Sequence, residues 1–204
     1  MVFGYSLTEL ALLILSVLLA MTMHEAAHAY VGFRLGDTTA AEEGRVSLNP
    51  LRHIDPLMTL VLPIVSLAIF HAPILAAKPV PFNAERVRFG EFGAALIALA
   101  GPLTNLLLAI LAALALHLTA GNSFIMEALF IFITVNVSLC VFNLIPIPPL
   151  DGSRVLYAFA PEVVQRFMRS LEQFGMVLVF ALVLVGGFSD ALNSINDFIL
   201  QRLF

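Results

Sequence analysis

Five long apolar stretches, separated by shorter polar connections, dominate the chain. They cover roughly residues 7–33, 57–77, 93–119, 124–147 and 172–188. Each approaches or exceeds the length of about 20 residues that an α-helix needs to cross a bilayer. The pattern predicts an all-α polytopic membrane protein with about four spanning helices and a further apolar stretch at 57–77.

Shorter elements are predicted between and after these stretches. Beyond residue 151, apolar residues recur at three- and four-residue spacing as far as Leu171, with arginines on the opposite side. This spacing predicts an amphipathic interfacial helix, which Pro161 is expected to break. The tail after Phe188 has the same character. Residues 44–48 suggest a short strand before the chain turns.

Composition supports a membrane location. The chain has 204 residues, of which 60% are hydrophobic and 12% charged, and its mean hydropathy is +0.99. Soluble domains do not reach such values. The net charge of −4 leaves no basic face for nucleic acid, which excludes that class of partner. We expect a single membrane-embedded domain over residues 1–204, with the N-terminal segment retained, because it lacks signal-peptide features.

The basic residues indicate the orientation in the membrane. All Lys and Arg residues except Arg202 lie in the connections 34–56, 78–92 and 153–171. The positive-inside rule places these three connections in the cytoplasm. The stretch 57–77 would then begin and end on one side, as a re-entrant segment or hairpin, although a plain spanning helix fits its length equally well.

The motif His24-Glu25-Ala-Ala-His28 lies inside the first apolar stretch. Residues four apart share one face of a helix, so both imidazoles can bind one metal ion while Glu25 stays beside its open position. This is the zinc-hydrolase pattern. Charged or polar groups at mid-bilayer cost roughly 2.5 to 3.5 kcal/mol each, so three within five positions indicate a function. Satisfied packing groups and a transport path are the competing interpretations.

A catalytic zinc ion usually has three protein ligands and one water molecule, so a third ligand is needed. Asp151 is a better candidate than Glu42 or Glu43, because glycines interrupt the helix before those two residues. Three prolines between 146 and 149 prevent a regular helix and allow the chain to turn a carboxylate inward. Asp151 is equally suited to be the N-cap of a helix that begins near Ser153. The ligands can meet only if 57–77 does not cross the membrane.

Together with Gly101-Pro102-Leu-Thr-Asn105 and Asn143-Leu-Ile-Pro146, these residues resemble the site-2 protease family of intramembrane zinc metalloproteases. The likeness is to compact bacterial members without PDZ or CBS modules. It implies one Zn²⁺ ion on His24, His28 and Asp151, with Glu25 as the catalytic base. It also implies a transmembrane protein or peptide substrate in the lipid bilayer and a bacterial inner membrane. The charged cytoplasmic connections near the ligands predict an active site toward the cytoplasm.

The other polar residues and glycines of these motifs can also be explained by structural roles. The resemblance places Asn143 near the scissile peptide, but a packing amide is equally plausible. Gly101 and Asn105 are better explained by close helix packing and an interhelical hydrogen bond than by direct catalysis. The three remaining histidines are predicted to be solvated or structural, and we expect the lone Cys140 to pack inside the bundle.

Two other functional classes stay open. A metal-ion transporter should show paired half-helices or an internal repeat, and the sequence has neither. A proteolytically inactive, zinc-stabilised membrane scaffold would need the ligands but not Glu25. The sequence does not specify the substrate, the pathway or the oligomeric state.

Overall fold

A computed structural model describes residues 6–53, 81, 83, 86–119, 121–183 and 185–204. These residues form α-helices and one short 3₁₀ helix at Pro50–Arg52, and no strand among themselves. The helices are α1 Leu7–Arg34, α2 Thr39–Glu42, α3 Glu91–Leu118, α4 Ser123–Asn143, α5 Asp151–Phe159, α6 Glu162–Glu172, α7 Gly175–Val183 and α8 Gly186–Leu203. The predicted all-α class is confirmed, and the stretch 57–77 lies outside the described residues.

Helices α1, α3 and α4 are long and apolar enough to cross a membrane. The consecutive helices α7 and α8 would add a fourth span if they form one, although they meet at a bend of 81°. Two glycines begin α8, and glycine lowers helix propensity at that break. Three or four candidate spans among the described residues agree with the number expected from the sequence.

Prolines and caps set the helix ends. Ser6 and Glu9 form a capping box at the start of α1, with the Glu9 backbone N–H donating to Ser6 Oγ over 3.1 Å. Pro161 separates α5 from α6, as predicted. The fourth apolar stretch was expected to continue to residue 147, but α4 ends at Asn143. The prolines that follow disfavour helical backbone at the residues before them.

The core lies where α3 packs against α1 and α4. Its α3 side is built largely from alanines, which allow close approach of the helix backbones. Ile133 and Val137 of α4 are fully buried against Ala109, Ala112 and Ala113. The opposite face of α3 carries exposed leucines, as expected for a surface that contacts lipid.

The chain returns to the end of α1 from which it departed. The backbone N–H of Arg88 donates to the Leu35 carbonyl over 2.9 Å, and the backbone N–H of Asn83 donates to Asp37 Oδ2 over 2.7 Å. Burial acts to raise the pKa of the Asp37 carboxyl, but hydrogen bonds from Thr39 and Asn83 outweigh it and the pKa lies below its usual value. The C-terminal end of α1 and the start of α3 therefore share one side of the bundle, which the predicted topology requires.

The expected short strand over residues 44–48 was wrong. The Ser47 backbone N–H donates to the Arg45 carbonyl over 2.8 Å, which closes a tight turn. Asn49 then caps the 3₁₀ helix by accepting from the Leu51 backbone N–H over 3.1 Å. No strand among the described residues lies alongside to pair with this segment, so local turn bonds prevail.

Candidate metal centre

Three side chains that are distant in sequence meet inside the bundle. His24 Nε2 and His28 Nε2 lie 2.9 Å apart, and Asp151 Oδ2 lies 3.1 Å from the first and 3.3 Å from the second. Both histidines are buried, and Asp151 is partly buried. We call these three converging atoms the metal cradle. The structure thus brings together all three residues predicted to bind zinc.

The start of α5 carries Asp151 into the cradle. Asp151 is the first residue of the helix and Leu150 is its N-cap, without a side-chain capping bond, so the N-cap interpretation does not describe Asp151. Gly152 makes this placement possible, because a Cβ there would lie 2.7 Å from the Ile145 carbonyl oxygen and closer still to Leu144. A carboxylate in the first turn is also favoured by the helix dipole.

The far side of each imidazole is held by an acceptor on α3. His24 Nδ1–H donates to Asn105 Oδ1, and His28 Nδ1–H donates to the Ile97 carbonyl, each over 2.6 Å. A carbonyl oxygen can only accept, so each Nδ1 carries the hydrogen. In the neutral imidazoles, both Nε2 atoms therefore direct a lone pair into the cradle.

These hydrogen-bond roles leave the cradle without a donor. As long as both imidazoles are neutral, neither Nε2 can donate to the other or to the carboxylate, and Asp151 Oδ2 is then buried without a hydrogen-bond partner despite its two close nitrogen neighbours. Buried acceptors in this state are costly unless a cation lies among them. Two imidazole nitrogens and one carboxylate oxygen form a donor set that Zn²⁺ prefers, so the residues fit the predicted ion.

Gly101 of α3 borders the cradle directly. A Cβ at this position would lie 2.6 Å from His24 Nε2 and even closer to His28 Nε2. Sequence reasoning attributed this glycine to helix packing in general. The structure shows that the packing partner is the pair of imidazoles themselves, so the missing side chain leaves the room that an ion needs.

The other predicted residues take different positions. Glu25 is half-buried and interacts electrostatically with His24, His28 and Asp151, but it is not among the three cradle residues. Asn143 ends α4, where its amide donates to the Leu139 carbonyl over 3.0 Å. Its place near a scissile peptide stays a prediction.

The remaining histidines in the described part of the chain are structural. The buried His53 donates from Nε2 to the Ser47 carbonyl over 2.7 Å. His117 donates from Nδ1 to the Ala113 carbonyl of its own helix over 2.8 Å. His71 lies outside the described residues. Cys140 is buried and free, as expected for packing in the bundle.

An open, mostly apolar cavity of about 380 Å³ lies beside α1 and is also lined by Thr104 of α3. Met23, Ala27 and Tyr30 of α1 form one wall, and Val46 and Leu48 of the following turn form another. The α1 residues of the cavity wall lie within the same two turns of helix as His24 and His28. The cavity therefore adjoins the helical turn that carries Glu25.

Sequence reasoning missed Asn136 on α4. Its side chain is fully buried, and its amide contacts that of Asn105. One signal was present in the sequence, namely an amide in the middle of a stretch predicted to cross the membrane, where a polar group needs a partner.

Comparisons of the sequence with a family profile and with individual proteins indicate the same family. The sequence profile of peptidase family M50 matches residues 115–186. The chain is 33% identical over 187 residues to the Bacillus subtilis protein named "Putative zinc metalloprotease YwhC", covering 87% of this chain and 82% of that protein. It is 31% identical over 172 residues to "Putative zinc metalloprotease Rip2" of Mycobacterium tuberculosis, covering 82% of this chain and 64% of that protein. No solved structure gives a significant match.

Proposed function

Because this chain belongs to peptidase family M50, the site-2 protease family, we propose that His24, His28 and Asp151 bind its zinc ion and that Glu25 is its catalytic base. The protein is an integral membrane zinc metalloprotease. The observation that carries the residue assignment is the convergence of two imidazole nitrogens and one carboxylate oxygen, which are three acceptors without a donor when the imidazoles are neutral.

Each residue of the site has a separate role in peptide hydrolysis. Zinc bound in the cradle supplies Lewis acidity, which polarises the scissile carbonyl and acidifies a water molecule. Glu25 accepts the proton of the attacking water and delivers it to the leaving nitrogen. Asn105 and the Ile97 carbonyl hold the imidazoles in the orientation that presents Nε2.

The substrate we propose is a transmembrane segment of another membrane protein. In such a segment each peptide group is hydrogen-bonded within the helix, so the segment must unwind locally before a carbonyl reaches the cradle. The apolar cavity beside α1 suits an apolar side chain of the unwound segment. Substrates with helix-weakening residues near the cleavage site should therefore be preferred.

Removing the metal is expected to abolish cleavage. The purified protein, reconstituted in liposomes with a single-span substrate, should lose activity with a chelator and regain it with one equivalent of Zn²⁺ but not with Mg²⁺. Elemental analysis should find one zinc ion per chain. His28→Gln should leave none, whereas His117→Gln, which changes an imidazole bonded within its own helix, should keep it. Full cleavage by metal-free protein would refute the assignment.

We propose that the cradle opens toward the cytoplasm of a bacterial inner membrane. The support is the set of arginines at its end of the bundle, including Arg34 at the end of α1 and Arg154 in α5. In a Cys140→Ala background, Leu51→Cys should react with a membrane-impermeant maleimide only in inverted vesicles. Leu118→Cys, at the far end of α3, should react only in intact spheroplasts, and both residues are well exposed. The reverse pattern would overturn the orientation.

A further inference from the structure

We propose that Asn136 is a positioning residue for the metal centre, acting through Asn105 to hold His24 in the tautomer that binds zinc. Asn136 directs its side-chain hydrogen bonds to Asn105 and the Phe132 carbonyl, and it lies on α4, the helix that leads to Asp151. The proposal rests on the ligand assignment made above. If the proposal is right, zinc affinity depends on an amide that is connected to the ligand His24 only through Asn105.

The contacts form a continuous chain across three helices. Asn105 Oδ1 accepts from His24 Nδ1–H over 2.6 Å. Asn105 Nδ2 donates to the Ala20 carbonyl over 3.2 Å and to Asn136 Oδ1 over 2.9 Å. Asn136 Nδ2 donates to the Phe132 carbonyl over 2.8 Å. Both amides are fully buried, so water does not compete for these bonds.

The Phe132 carbonyl, at the end farthest from His24, fixes the donor and acceptor of every hydrogen bond in this series. The Phe132 carbonyl can only accept, so Asn136 must direct its Nδ2 there and its Oδ1 toward Asn105. Asn105 must then direct its Nδ2 toward Asn136 and the Ala20 carbonyl. Its Oδ1 is left for His24, which must carry its hydrogen on Nδ1 and keep the Nε2 lone pair in the cradle.

The tautomer of His24 depends on these amide hydrogen bonds, whereas the tautomer of His28 does not. The partner of His28 is the backbone carbonyl of Ile97, which cannot change from acceptor to donor. The partner of His24 is a side-chain amide, and a half-turn about its terminal bond would offer Nδ2 to the imidazole instead. His24 would then adopt the other tautomer, with a hydrogen on Nε2 where the metal must bind. Asn136 and the Ala20 carbonyl together oppose that rotation.

Zinc affinity of the purified full-length chain, measured by chelator competition, tests the proposal. Asn136→Leu keeps the branched shape of the side chain but removes the acceptor, and we expect about 10-fold weaker zinc binding, the lower end of the range for losing a direct partner of a ligand. Asn136→Asp should bind as the parent does, because a neutral carboxyl accepts from Asn105 and donates to the Phe132 carbonyl. The matched control is Thr134→Val on the same helix. The Thr134 hydroxyl donates to the Phe130 carbonyl over 2.9 Å and takes no part in the hydrogen bonds that connect Asn136 to His24.

A double-mutant cycle separates a positioning role from general loosening of the bundle. If Asn136 acts through Asn105, then Asn105→Leu with Asn136→Leu should weaken zinc binding no more than Asn105→Leu alone. Additive losses would overturn the proposal, and so would parent-like affinity in Asn136→Leu. In either case zinc binding by the parent chain would still stand, whereas a parent that binds no zinc at this site would refute the ligand assignment itself.

The tautomer can also be observed without any variant. In zinc-free parent protein with ¹⁵N-labelled histidine, the His24 imidazole should show its hydrogen on Nδ1. A hydrogen on Nε2 of neutral His24 would overturn the proposal even if every substitution at Asn136 prevented folding.

Discussion

Replacing Glu25 with Gln is expected to abolish cleavage while leaving one zinc ion bound. The amide has the shape of the carboxylate but cannot accept a proton from water, and loss of a general base costs about 10²- to 10⁴-fold in rate. The three cradle atoms belong to other residues, so their geometry should persist. Cleavage of a co-reconstituted single-span substrate and the zinc content of the same sample give the two readouts.

Glu91→Gln is the matched control for this variant. Glu91 lies in the first turn of α3, is exposed, and should tolerate the change with full activity. Retained cleavage in Glu25→Gln would remove Glu25 from the role of base. If instead the parent chain binds zinc but cleaves no membrane peptide, the inactive-scaffold interpretation would be favoured over the protease.

The features that were predictable from the sequence are local or compositional. Hydropathy over long windows identified the spanning helices because lipid leaves few alternatives for the backbone. The helical repeat alone places His24 and His28 on one face. Asp151 required a further step, since its candidacy came from the number of ligands that zinc needs and from the prolines before it. The meeting of these three residues in the structure agrees with that reasoning.

Other features depended on which helices pack together, and the sequence did not specify that. The contact between Asn105 and Asn136 joins α3 to α4, and either amide alone is only a polar group in need of a partner. Gly101 was recognised as small but not as a neighbour of the imidazoles. The wrong strand at 44–48 has the same origin, because strand formation is decided by a partner elsewhere in the chain.

A single methyl group at Gly101 is expected to displace zinc. In Gly101→Ala the Cβ would lie 2.6 Å from His24 Nε2, well inside the roughly 3.5 Å separation of non-bonded heavy atoms in contact. Either the methyl group fills the space between the imidazoles or α3 moves away and lengthens the Nδ1 hydrogen bonds. Both outcomes distort the cradle, so zinc affinity should fall by at least about 10-fold, the lower end for losing one ligand partner, and cleavage with it.

Folding itself should survive this substitution, because alanine is favoured over glycine in a helix by about 1 kcal/mol. Gly32→Ala is the matched control. Gly32 is also buried, in α1, but a Cβ there would meet the Ile97 side chain at 3.6 Å, an ordinary contact, and zinc binding should be unchanged. Thermal unfolding of the zinc-free proteins would show whether both variants fold. If folded Gly101→Ala bound zinc as tightly as the parent, the ion could not lie between His24 and His28, and the proposed centre would have to be abandoned.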